Sequence, residues 1–188
     1  MLDGMASTGK ASTVLYGTQL RLAWHQPLVK DINVVIQAQG GYSGGDSRIL
    51  YNFGGVDNNL VTRIDTTVKF SQKAPYAFQS LITPFRGYAQ NSIYGSRFGL
   101  LNVDVYFPLF RSLVPLHTGF SALNNLQLGL FTDIAATSGT TGLPPVKSTL
   151  NSYGCSARTL LAGYPLRLDV AWPGDFGKKP VWYLSLKL

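Results

Sequence analysis

Glutamate is missing from this chain altogether; its nine acidic residues are all aspartates. Charged residues make up only 13% of the sequence, against roughly 25% in an ordinary soluble domain. Glu and Lys furnish the water-facing sides of soluble helices, so this scarcity argues against a helical protein. Cysteine occurs once, at Cys155, which rules out an internal disulfide. With no His or Asp set around it, a small buried or lumen-facing role is expected for Cys155. Apolar runs of the ~18 residues needed for a transmembrane helix are also lacking, which excludes a helical membrane protein. Met1 to Ala11 do not follow the basic-then-apolar plan of a signal peptide. An exported product is then expected to be either a mature chain or the tail of a longer one.

Signatures of chemistry are equally scarce. The chain contains no GxSxG, HExxH, P-loop or CxxC motif. His25 and His117 have no acidic or cysteine neighbours at ligand spacing, and His25 falls on a strand's polar face. No catalytic residue, metal or cofactor is expected. The net charge of +7 is carried by Lys and Arg spread singly along the chain. That distribution does not suggest nucleic acid, and it suits contact with anionic lipid head groups.

What the chain does hold is strand-forming material. Aromatics reach 12%, and twenty Gly with ten Pro fit many short strands joined by turns. The main signal is period two. Val14, Tyr16, Leu20, Leu22 and Trp24 share one face, with Gly17, Gln19, Arg21, Ala23 and His25 opposite. After a turn at Lys30-Asp31, Ile32, Val34, Ile36 and Ala38 alternate with Asn33, Gln37 and Gln39. Leu101, Val103, Val105 and Phe107 alternate with Asn102, Asp104 and Tyr106. Leu128, Leu130 and Ile134 alternate with Gln127, Gly129, Phe131 and Asp133. Leu166, Leu168, Val170 and Trp172 alternate with Arg167, Asp169 and Ala171. The last run sets Trp182, Leu184, Leu186 and Leu188 against Tyr183, Ser185 and Lys187. With weaker segments at Arg48–Phe53 and Tyr153–Ala162, about eight strands result, several near the ~9–11 residues of a tilted membrane strand. A long loop is expected over Thr137–Ser152 and a tight turn at Gly163.

Such strands with unlike faces fit an all-β fold. One solution is a transmembrane antiparallel β-barrel, and another is a soluble β-barrel that binds a small apolar ligand. The apolar face is nearly pure Leu, Val and Ile, with Tyr16, Trp24 and Trp172 near strand ends, as in an aromatic girdle. The polar face carries Gly, Ala and Tyr beside its Gln, Asn and Asp, more like a wet lumen than a solubilising surface. The pattern favours the membrane barrel.

Between Tyr76 and Leu109 the likeness becomes more specific. Phe85-Arg86-Gly87-Tyr88 resembles the lid-loop tip of the BamA/TamA superfamily, the bacterial surface antigen family. The strand that follows, Gly99 to Pro108, resembles that family's next strand, with its acid at Asp104. Leu130-Phe131-Thr132-Asp133 is similar to the following strand, which carries an aromatic and an inward Asp. Pro165 to Ala171 resembles the penultimate strand, and Phe53-Gly54-Gly55-Val56-Asp57-Asn58 the glycine pair that precedes the lid loop. The combination looks closest to barrels that follow a TolB-like propeller.

The resemblance implies a bacterial outer-membrane barrel of the insertase or translocase type. Its partners would be outer-membrane lipid, client outer-membrane proteins and the missing half of the barrel. The family barrel has about sixteen strands, so eight correspond to its C-terminal half. Residues 1–188 would form one barrel domain: first strands over 12–55, a lid-loop region over 56–95 and C-terminal strands over 96–188. The terminal-strand signal would be Trp182, Leu184, Leu186 and Leu188, although the family usually ends in an aromatic. Parity puts Asp104 and Asp133 on the lumen side of adjacent strands. Spacing alone leaves Arg86 free to be a solvated loop residue, whereas the resemblance implies that it pins the lid loop between the two carboxylates. A passive pore or surface-antigen barrel, tuned by Gln19, Arg21, Gln37 and Gln39, is the alternative activity.

Overall fold

Alternating runs become strands because successive side chains of extended backbone point to opposite faces, so each face can meet its own environment. A computed structural model describes residues 3–6, 14–29, 31–61, 64, 76–110, 119, 121–138 and 149–186. In chain order the strands are β1 (Asp3–Ala6), β2 (Val14–Val29), β3 (Ile32–Gly45), β4 (Arg48–Phe53), β5 (Tyr76–Ile82) and β6 (Ile93–Gly95). They continue with β7 (Arg97–Pro108), β8 (Gln127–Ser138), β9 (Thr149–Leu161), β10 (Tyr164–Pro173) and β11 (Val181–Leu186). A one-turn helix, Ser121–Asn124, precedes β8.

The protein is all-β. Eight strands form one antiparallel wall in the order β1-β2-β3-β7-β8-β9-β10-β11, and β5-β4-β6 form a second, smaller sheet. The β9–β10 turn has positive φ at both Ala162 and Gly163, the backbone of a two-residue hairpin whose twist matches that of the strands it joins. At β2–β3, Asp31 also has positive φ, while Lys30 lies outside the described residues.

The wall differs from the expected strand set in ways with local causes. Arg48–Phe53 is a strand, but it does not belong to the wall. At Gly45 (φ +108°) the chain leaves the sheet, anchored by the Asp46 amide on the Val14 carbonyl at 2.9 Å. It then crosses the wall's inner face as β4, where Leu50, Tyr51, Asn52 and Phe53 are all buried. β5 pairs with it in parallel and β6 antiparallel. These two lie inside the stretch read as lid loop, and neither shows an alternation that would announce it. The eighth wall strand is instead β1, a four-residue piece on the edge of β2. The loop expected over Thr137–Ser152 is shorter, because β8 runs to Ser138 and β9 begins at Thr149.

Register fixes which residues share a face. Gln37 lies opposite Asn102, Asn102 opposite Asp133, and Asp133 opposite Ser152. Asp169 lies opposite both Ser156 and Tyr183. All of these point inward, beneath residues 48–61 and 76–96. The outward set includes Leu20, Leu22, Trp24, Leu130, Ile134, Leu168 and Trp182, all exposed. Cys155 belongs to the outward set, paired with Leu130 and Val170, and is exposed, which corrects the buried or lumenal role expected of it.

Two contacts seat residues 48–61 and 76–96 on the wall. Phe53, Ile82, Phe85 and Ile93 pack with Phe98, Leu100 and Ala135 of the wall in one apolar cluster. At the far end, Asn58–Leu60 lies along the outer edge of β11: the Leu60 amide donates to the Leu184 carbonyl at 2.7 Å, and the Leu186 amide to the Asn58 carbonyl at 3.2 Å.

Candidate functional site

The segment Thr83–Tyr88 turns back toward the wall just after β5, and its tip is Arg86. The side chain is fully buried, 0% exposed, in a place where an unpaired cation would be prohibitive. Asp133 of β8 and Asp104 of β7 surround it. Arg86 Nε donates to Asp133 Oδ2 at 2.8 Å and Nη2 donates to Asp133 Oδ1 at 2.5 Å, the two-pronged arrangement that suits a planar guanidinium. Nη1 donates to Asp104 Oδ1 at 2.6 Å. The Arg86 backbone amide also donates to Asp133 Oδ2, at 3.0 Å, so one carboxylate holds both the side chain and the loop backbone.

Beneath the guanidinium lies the Phe131 ring, 3.5 Å from Cζ to the ring centre, a favourable position for a desolvated cation. Burial disfavours the charge on Arg86, but the carboxylates and hydrogen bonds of Asp133 and then Asp104 outweigh it. They hold its pKa above the ordinary arginine value.

Neighbours complete the acceptor set. Asn102 Nδ2 donates to Asp133 Oδ1 and to the Pro84 carbonyl, each at 2.9 Å. Tyr106 OH donates to Asp104 Oδ1 at 2.9 Å. Arg167 Nε donates to Asp169 Oδ1 at 2.8 Å, and its Nη2 stands 3.7 Å from Asp104.

The rest of the tip is fitted to the wall. Gly87 has φ +87°, and an added Cβ would sit 3.0 Å from Ser152 Cβ and 3.3 Å from Pro173 N. Both conformation and space therefore call for glycine. Tyr88 stacks on Phe85 with ring centres 4.7 Å apart and 6° between planes. Its hydroxyl donates to the Asn151 carbonyl at 3.0 Å, and Tyr183 OH donates to the Tyr88 carbonyl at 2.8 Å.

The structure thus brings Phe85, Arg86, Gly87, Tyr88, Asp104 and Asp133 into one cluster. Trp182, Leu184 and Leu186 lie apart from it, on the outward face of β11, and Leu188 lies outside the described residues. The sequence reading gave no role at this cluster to Asn102, Tyr106 and Tyr183. Each stands at an inward position by parity, which was the only available signal; their partners depend on strand register.

Chemically this is a clamp. Both carboxylates are occupied by Arg86, and no group of three or more His, Cys, Asp or Glu side chains among the described residues is placed to hold a metal ion. No helix among the described residues is long and apolar enough to cross a membrane, which does not bear on strands. No protein-family model and no curated protein matches this chain.

Proposed function

We propose that this chain is part of a bacterial outer-membrane β-barrel of the BamA/TamA insertase or translocase type, with Arg86 pinning a lid segment inside it. One observation carries the reading. The sheet's exposed face is apolar, with Leu20, Leu22 and Leu130 about 60% exposed, while its buried face carries Asn102, Asp104, Asp133 and Asp169. A water-soluble sheet puts these residues the other way round. An outward apolar band over a polar interior is the arrangement of transmembrane barrels.

Lengths agree with this reading. β7 and β8 have twelve residues each, and at ~3.3 Å per residue and a tilt of ~40° such strands cover roughly 30 Å, the thickness of the hydrocarbon core. Residues 48–61 and 76–96 pack on the inner face, which argues against an open passive pore.

The membrane assignment is tested by refolding the chain into vesicles whose lipids carry brominated acyl chains. Trp24, Trp172 and Trp182 point outward, so their fluorescence should be strongly quenched. A chain that stays monodisperse without detergent and shows no quenching overturns the assignment. Photo-cross-linking to nascent outer-membrane proteins tests client activity. Steady ion conductance with no cross-links would identify a passive pore instead.

A further inference from the structure

Beside the Arg86 clamp lies a cavity of about 390 Å³, lined by Arg21 of β2, Arg158 of β9, Arg167 of β10 and the Val56–Asn58 turn. The wall brings these residues together although β3, β7 and β8 separate β2 from β9 in the sheet order. Volumes near this value are at the lower end of small-molecule sites, which run from ~300 to ~1,000 Å³.

Its lining is predominantly cationic, although Arg167 also pairs with Asp169 at 2.8 Å and lies 3.7 Å from Asp104. Arg158 and Arg167 face each other directly across β9 and β10, and like charges so placed repel. Protein groups satisfy them only in part. Arg158 donates through Nε to Gln127 Oε1 at 2.8 Å, and its plane covers the Tyr106 ring at 3.4 Å, a contact that accepts no hydrogen bond from its Nη atoms. Arg167 uses Nε on Asp169, while its Nη2 is buried with no hydrogen-bond acceptor among the described residues. Ser185 Oγ, on a residue lining the same cavity, is likewise buried and unsatisfied. Against these three guanidinium groups the described lining offers one carboxylate, Asp57, which already accepts from Thr83 Oγ1 at 2.5 Å.

We infer that this cavity binds the anionic group, phosphate or carboxylate, of a small solute. The Nη donors of Arg158 and Arg167, neighbours on one face of the wall, and a third arginine supply the donors that such oxyanions take. Val56 and Pro84 give the cavity an apolar wall, so the fitting solute carries its anion on a small organic body. An anion there would also relieve the Arg158–Arg167 repulsion.

The test uses the full chain folded in a non-ionic detergent, with inorganic phosphate and acetate as probes and chloride at matched ionic strength as the blank. Saturable broadening of the phosphate ³¹P resonance, with a rise in thermal midpoint above the chloride blank, is expected. Arg158→Gln should weaken the apparent affinity at least tenfold. Arg21→Gln, an exposed residue outside the clamp, should weaken it several-fold and keeps the test intact if the first variant misfolds. Arg97→Gln, remote from the cavity lining, should leave it unchanged. A midpoint rise with acetate but not phosphate would assign a carboxylate ligand. No response beyond chloride, or equal responses in wild type, Arg21→Gln and Arg158→Gln, overturns the inference. The measurement needs no bilayer, so its failure would leave the membrane assignment standing.

Discussion

The two faces of the wall obey opposite rules: one leaves large apolar side chains open and the other buries polar ones. On the outward face, large apolar side chains stand open: Trp24 and Trp182 are each 54% exposed. In water, exposing so much contiguous apolar surface marks an interaction site or an aggregation hazard. On the inward face, Asn102, Asp133 and Asp169 are completely buried, and such groups persist only when partners satisfy them. Arg86 and Asn102 satisfy Asp133, and Arg167 answers one oxygen of Asp169. The polar interior is specific, with particular donors matched to particular acceptors. The apolar exterior is generic, carried by interchangeable Leu, Ile and Trp side chains.

The sharpest way to break this contrast is on the inward side. Asp133→Ala leaves Arg86 buried beside Asp104 alone and opens the Asn102 contact, and should cost ~3–5 kcal/mol. The measurement is the urea midpoint of the refolded protein, and a change below ~1 kcal/mol would mean that the clamp does not hold the Thr83–Tyr88 segment.

On the outward side, Leu130→Arg should cost ~2–4 kcal/mol in a bilayer. The same change at a water-facing site would fall within about ±0.5 kcal/mol. Equilibrium unfolding from vesicles separates the two, and a negligible effect there would remove the lipid assignment of that face.

The smallest expected effect is at the tip of the Thr83–Tyr88 segment. Gly87→Ala forces a left-handed backbone on a residue with a Cβ and presses that Cβ on Ser152, for ~1–2 kcal/mol. Limited proteolysis should show earlier cleavage near Tyr88, whereas unchanged resistance would show that the tip tolerates the shift.

How legible each part was depended on how far apart its causes lie in the chain. β2, β3, β7, β8 and β10 were readable because alternation is local and strong. β1 is too short to show a period. β4 is buried on both sides, so Leu50, Tyr51 and Phe53 carry no alternation to report its location. β5 and β6 owe their existence to pairing with β4. At the clamp, Arg86, Asp104 and Asp133 were singled out through resemblance, since parity alone said only that the two acids face inward. Asn102 shared that parity, but its place opposite Asp133 follows from the β7–β8 register.

Cys155 shows the limit from the other direction. Residue type suggested burial, yet the β8–β9 and β9–β10 registers put it between Leu130 and Val170 on the open face.

The amino-acid sequence by itself determined the all-β class, the unlike faces and the residues on each, because a period of two needs no knowledge of neighbours. Only the tertiary structure decided that β4 leaves the wall, that Asn58–Leu60 lies on the edge of β11, and that Arg86 meets Asp133 47 residues away. It also decided that Arg21, Arg158 and Arg167 share one cavity. Those outcomes depend on register, on where glycine lets the chain turn, and on which distant partner answers a buried charge.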